Sequence, residues 1–144
     1  MVLKPSRRQK QIVALREEAR RCGLQVQFSL DTVSDETGRH LASVRYLLPW
    51  LAKDLEHVDT QHWLLIRDNG RGLPSSWVGW RWQGRQAPVS CQQAIVEGLA
   101  DLPDTVNGLC SNAQGMGAYW QERGELEEVA IIDKALRKIS NNMK

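Results

Sequence analysis

Cys22, Cys91 and Cys110 are the only thiols in the chain, an odd number with no Cys-x-x-Cys or Cys/His ligand spacing. Each stands where a small apolar residue is wanted: Cys22 on a helix seam, Cys91 in the first turn of a helix, Cys110 within a strand. They read as core thiols in a reducing compartment rather than as nucleophiles or metal ligands. His57 and His62, with Glu56 and Asp59 beside them, lie in a polar turn ahead of a strand and lack the closed spacing of a zinc site. His40 stands alone. The pairs Glu17-Glu18 and Glu127-Glu128 fall on helix surfaces, where they are solvated charges and not acid/base couples. No Gly-x-Ser-x-Gly elbow, phosphate loop or dinucleotide fingerprint occurs. No catalytic residue, metal or cofactor is therefore expected, and the chain reads as a non-enzyme.

The sharpest motif is Leu64-Leu-Ile-Arg-Asp-Asn-Gly-Arg-Gly-Leu-Pro74. It resembles the Asp-x-Gly-x-Gly box of the histidine-kinase and gyrase-type ATPases, and that resemblance implies that Asp68 recognises adenine. The same family holds magnesium with an asparagine on an upstream helix, yet Asn69 is the first asparagine here. Its glycine-rich lid is matched only by Gly115-Met-Gly117, at the start of an apparent strand. Asp, Asn, Gly and Pro are equally the residues of a hairpin connection. The hairpin is the expected role, and adenine-nucleotide binding around Asp68 the remote alternative.

Two further groups suggest a contact surface. In Trp77-Val-Gly-Trp80-Arg-Trp82, period-two alternation cannot hide all three indoles on one face. Trp80 and Trp82 are expected to pack with Val78 under a helix, which leaves Trp77 and Arg81 on the other side. An exposed Trp beside Arg suits a partner surface or base stacking, although a half-covered sheet face would look the same. The other group is the basic start of the chain. Residues 1–22 hold seven basic side chains (Lys4, Arg7, Arg8, Lys10, Arg16, Arg20, Arg21) against Glu17 and Glu18, a net +5, so the rest carries −3 within the whole chain's +2. Such a face can meet an anionic membrane at about 1 kcal/mol per basic residue. A dedicated nucleic-acid binder, with a pI typically above about 9, would be more basic overall.

These residues need elements to position them. Ser6 and Gln9 form a capping-box pattern, after which Ile12, Leu15, Ala19 and Cys22 make one narrow apolar stripe that Gly23 stops. A basic helix over about 6–22 follows. Leu24 to Leu30 alternates as a strand, with Val26 and Phe28 expected inward; Asp31 to Arg39 reads as a polar loop. Leu41 to Leu48, ended by Pro49, and Trp63 to Arg67 are the next strands, with a short helical turn over Trp50 to His57 between them. Trp77 to Trp82 is the fourth. Ser90-Cys-Gln-Gln93 repeats the capping box and starts a helix to about Leu102. Val106 to Ser111 and Met116 to Trp120 form a hairpin around 112–115. Leu126, Val129, Ile132, Leu136 and Ile139 stripe the last helix, acidic at its start and basic toward its end. The expected fold over 1–144 is a single α+β domain of order α-β-β-β-β-α-β-β-α: a mostly antiparallel sheet of about five to six strands with three helices on one face.

Leu3-Lys-Pro-Ser-Arg-Arg-Gln-Lys-Gln11, then Ala14-Leu-Arg-Glu-Glu-Ala-Arg-Arg-Cys-Gly-Leu-Gln-Val26, resembles the cytoplasmic start of small single-span bacterial inner-membrane proteins. Some of these are labelled YajC-type accessory subunits of the Sec translocase. Tyr46-Leu-Leu-Pro-Trp50, Trp80-Arg-Trp82 and Ala118-Tyr-Trp-Gln-Glu-Arg-Gly124 extend the likeness along most of the chain. No apolar run of about 18 residues occurs, so the chain departs from that pattern in lacking a span. The resemblance implies a cytoplasmic-side domain tethered to the inner membrane by a segment outside this chain, with no catalytic residues. The expected partner is a protein, and an anionic membrane surface is a second contact. Nucleic acid, met by Arg7, Arg8, Arg16, Arg20 and Arg21 with Trp77, is the alternative.

Overall fold

Helix α1 (Arg7–Arg21) begins where its sequence implies. The Ser6 hydroxyl accepts from the Gln9 amide (3.1 Å) while the Gln9 side chain accepts from the Ser6 N–H (2.8 Å), closing the capping box. Gly23, at φ +92°, turns the chain out of the helix. In this computed structural model, which describes residues 4, 6–34, 40–52 and 62–142, there follow β1 (Gln25–Ser34), β2 (His40–Pro49), β3 (Trp63–Arg67), β4 (Leu73–Pro74) and β5 (Trp80–Trp82). Then come α2 (Val89–Leu99), β6 (Val106–Ser111), β7 (Gly115–Trp120) and α3 (Leu126–Asn142).

The strands form one seven-stranded antiparallel sheet in the order β1-β2-β7-β6-β3-β5-β4. One face carries Tyr46, Leu65, Trp82, Leu109, Ala118 and Trp120, and against it pack Leu15 and Ala19 of α1, Ile95 of α2, and Ile132, Leu136 and Ile139 of α3. Helix α3 lies between the other two. Gly98 lets α2 approach it: a Cβ there would fall 2.3 Å from the Ile139 side chain. The opposite face has a smaller apolar cluster of Ile66, Cys110 and Tyr119, with Leu64 against it. The α+β class, the three helices and the antiparallel sheet are as expected from the sequence.

Several details differ. The sheet has one strand more than expected, because Leu73–Pro74 pairs with β5. Strand β5 covers only Trp80–Trp82; it pairs antiparallel with β3, as the hairpin reading implied, and carries β4 on its other side. Val78, expected inward, is fully exposed. Strand β1 runs on to Ser34 through the expected loop, and β2 includes Pro49 as its last paired residue. Helix α2 starts two residues early, with Pro88 rather than Ser90 at its N-cap and no side-chain cap, so the Ser90–Gln93 box is not made; it ends at Leu99. The basic residues of α3 stop short of its last turn. The expected helical turn lies mostly outside the described residues.

The largest correction is Phe28. It shares the helix-covered face with Val26, which is partly buried, but its ring is 70% exposed. Phe28 lies on the outermost strand of the sheet, and the Arg16 guanidinium stacks over its ring from α1. Leu136→Ala, at a site with no exposure, is expected to cost about 2–5 kcal/mol, whereas Phe28→Ala stays below about 1 kcal/mol. Urea melts of both variants check this; equal losses would mean that the Phe28 ring is packed.

Candidate functional site

Between β7 and α3 the chain passes through Gln121–Gly124, and there Glu122 adopts a left-handed backbone (φ +56°), uncommon for any residue but glycine. Its side chain is buried beneath α1. The carboxylate accepts from Arg16 through two parallel bonds, Nε to Oε2 at 2.8 Å and Nη2 to Oε1 at 2.9 Å. The Tyr46 hydroxyl donates to Oε2 at 2.7 Å. Two neighbours on α1 extend the clamp. The Arg8 guanidinium donates to the carbonyls of Gln121 (2.9 Å) and Glu122, and the Gln11 amide donates to the Gly124 carbonyl at 2.8 Å. The hydrogen bond to Glu122 raises the Arg16 pKa, and burial pushes the Tyr46 phenol well above its ordinary range. With its oxygens bonded to Arg16 and Tyr46, this carboxylate holds the fold and is not available to a reactant.

The clamp divides the arginines named by the sequence. Arg8 and Arg16 point inward and are spent on the protein itself. Arg7, Arg20 and Arg21 stay exposed; Arg21 pairs with Glu18 one turn away, its Nε 3.0 Å from the carboxylate. Lys4 and Lys10 are exposed as well, so the helix presents a basic outer face fixed in place from below.

Trp77 and Arg81 lie elsewhere. Trp77 is half-buried, edge-on to Trp82 with ring centres 5.7 Å apart. Arg81 donates to the carbonyls of Arg71 (3.1 Å) and Gly72 (2.9 Å), and sits 3.8 Å from Asp68. Five strand spacings separate β1 from β5, roughly 24 Å. The structure therefore does not bring Trp77 and Arg81 into one patch with the α1 arginines. The Asp68 segment closes on itself: Asp68 accepts from the Gly70 amide (2.9 Å), Asn69 from the Arg71 amide (3.0 Å), and the Asp68 N–H donates to the Gly79 carbonyl.

Glu56, His57 and Asp59 lie outside the described residues, and His62 is exposed. Among the described residues no group of three His, Cys, Asp or Glu gathers to hold a metal, and no helix is long and apolar enough to cross a membrane. Cys91 and Cys110 are buried and Cys22 half-buried. Burial pushes the Cys110 thiol up to about 11 and raises Cys22, which disfavours the reactive thiolate in both. An open groove of about 530 Å³ runs past Asp101, Asp104, Arg123, Glu128 and Ile131, with charges of both signs and no convergent set of polar groups.

What sequence reading missed is the outer edge of β1. Among the described residues β1 pairs only with β2, in regular register from Gln25 to Phe28 before a bulge. The exposed Phe28 ring lies 4.9 Å from the Arg16 guanidinium carbon that stacks over it. The signal was present: Gln25-Val-Gln-Phe28 has no Lys, Pro or charge, the residues that usually protect an edge. No protein-family model, curated protein or solved structure matches the chain.

The two classes of arginine are separable by stability. Arg16→Ala leaves the Glu122 carboxylate buried without its cation and is expected to cost about 3 kcal/mol, the low end for breaking a buried pair because Arg16 keeps some water. Arg20→Ala is expected within about 0.5 kcal/mol of the parent. Denaturant melts decide; an Arg16→Ala variant as stable as Arg20→Ala would mean the clamp contributes nothing.

Proposed function

We propose that this is a non-enzymatic domain that works through protein contacts, by adding an extended segment of a partner to the β1 edge. The observation that carries this reading is the contrast between the two sheet edges. At one end β4 is two residues long and includes Pro74, which has no N–H to offer a neighbour. At the other, β1 is ten residues long, and its Gln25–Phe28 stretch is regular, uncharged and capped by an exposed aromatic ring. Unpaired N–H and C=O groups on such an edge are a template for another strand, and main-chain bonds to it supply affinity without a deep pocket. A photo-reactive residue in place of Phe28 should cross-link to one defined partner segment in the cells that produce the protein. The same residue in place of Val78, which is more exposed still and lies at the far end, should not. Cross-links from both positions alike, from Val78 alone, or from neither, would overturn the proposal.

A second contact, with an anionic membrane surface on the cytoplasmic side, is supported by the fixed basic face of α1. Exposed Lys4, Arg7, Lys10, Arg20 and Arg21 outnumber Glu17 and Glu18 there. At about 1 kcal/mol per basic residue near lipid, this is weak, reversible attachment. Nucleic acid is the less supported alternative, because the indole nearest to solvent in the sequence pattern, Trp77, packs on Trp82 far from α1. Phosphatidylglycerol vesicles and a random-sequence duplex, titrated side by side at low and physiological salt, discriminate the two. Weak vesicle binding that is abolished by Arg7→Glu, Arg20→Glu and Arg21→Glu together is expected, with negligible duplex binding at physiological salt. Tight duplex binding under that condition would favour the nucleic-acid alternative.

A further inference from the structure

The helix above the β1 edge also restricts what the incoming strand can be, an inference that rests on the strand-addition reading. Helix α1 turns at Gly23 and returns as β1, so the two run antiparallel. Its Leu15 and Ala19 face the core, and its Arg8, Gln11 and Cys22 side meets the β7–α3 connection and Arg137 of α3. Val13 and Arg20 stand on the opposite flank, three residues before and four after Arg16. Arg16, between them in sequence, reaches Phe28 on the outermost strand, which sets this flank toward the β1 edge. Val13 is 55% exposed and Phe28 70%, and helical spacing sets Val13 one turn before the Arg16 that stacks on Phe28. Arg20 is exposed and makes no ion pair among the described residues.

Spacing then sets the recognition. Moving from Arg16 to Arg20 advances about 6 Å along the helix. Because the elements run antiparallel, this corresponds to moving from Phe28 back to Val26, about 6.6 Å along the strand. A strand added outside β1 would place one residue beside Phe28, and the residue two positions away, on the same face, beside Val26 and beneath Arg20. We infer that the partner is an extended segment carrying an apolar residue and, two positions from it, an acidic residue, the first seated against Phe28 and Val13 and the second paired with Arg20. A second copy of this chain is a poorer occupant. Edge-to-edge pairing of two β1 strands would set two basic α1 faces side by side, and like charges there oppose association.

The test uses the full chain and a displayed library of random decapeptides, followed by synthetic peptides of the enriched sequences measured by fluorescence polarisation. Enriched peptides are expected to share an apolar and an acidic residue two positions apart. Phe28→Lys should weaken them by about tenfold or more, the scale expected when a central interface anchor is lost. Methylating alternate backbone amides of the peptide should abolish binding, a readout that does not depend on the variant's folding. Arg20→Glu should weaken the acidic peptides by about tenfold, and exchanging the peptide's acid for Lys should restore binding to that variant. Peptides that lose binding with Phe28→Lys and with N-methylation, yet ignore Arg20→Glu and the charge exchange, would sink the acidic partner and leave the edge reading standing. Binding indifferent to Phe28→Lys and N-methylation, or no enrichment at all, would overturn the edge reading itself. A homodimer in sedimentation that Phe28→Lys dissolves would replace the foreign segment with a second copy.

Discussion

The Arg16–Glu122–Tyr46 cluster is the constraint on which the arrangement of this domain depends. It joins three parts of the chain that have no local reason to meet: the first helix, the second strand and the connection into the last helix. A carboxylate beneath a helix is costly unless its oxygens are bonded, and here two guanidinium N–H groups and a phenol bond them. Such a pair is weak evidence for stability in itself, since an apolar substitute of the same shape can do as well. What it specifies is register. Helix α1 has a narrow stripe, with only Leu15 and Ala19 fully buried, so apolar packing alone would let it slide or roll. The fork of Arg16 fits one carboxylate in one place, and Arg8 and Gln11 repeat the instruction along the same loop. The left-handed backbone at Glu122 is the strain tolerated to present the carboxylate there.

The far end of the sheet is held by different means. Trp63 and Trp77 both meet Trp82 edge-on, at 5.8 and 5.7 Å, and the Arg67 guanidinium lies over Trp80 at 4.5 Å. Arg67 also donates to the carbonyls of Val106 and Pro103, which ties β3 to the α2–β6 connection. Four of the six tryptophans are thus spent on closing the end where strands are short and turns many. Large rings suit that task, because each buries much area per residue where a two- or three-residue strand offers little backbone pairing. Ion pairing orders one end of the domain and aromatic packing the other.

The parts of this structure that were legible in sequence are those set by local period. Helix α1, helix α3 and the β6–β7 hairpin follow from spacing, capping and turn residues. The outer strand β4 was not, because Leu73 and Pro74 read as the end of the turn between β3 and β5, and only their pairing with Trp82 and Arg81 makes them a strand. Phe28 shows a second limit. Alternation assigned its face correctly, but that an outermost strand leaves the ring largely open is a property of packing. Glu122 shows a third. Nothing in Gln121-Glu-Arg-Gly124 hints at a partner 106 residues away. The division of the arginines was partly available, since Arg8 stands seven residues before Leu15 and so on the apolar stripe, whereas Arg7 and Arg20 do not.

The clamp and the open edge are connected through one side chain. Arg16 commits its Nε and Nη2 hydrogens to Glu122, in the plane of the guanidinium, and so leaves the flat face of the group to stack on Phe28. The ring that marks the β1 edge is therefore held by a group whose own position is fixed in the core. A segment pairing with β1 would meet an edge already in register, an aromatic ring already oriented and a basic flank already in place, and would leave every bond of the clamp intact. Preorganisation of this kind lowers the ordering cost that otherwise limits strand addition to a shallow surface. It also explains why an exposed phenylalanine on an unprotected edge is tolerable: the stacked guanidinium covers one face of the ring with charge, which keeps a non-specific apolar contact from forming there while leaving the edge free to a strand that brings its own polar partner for the helix above.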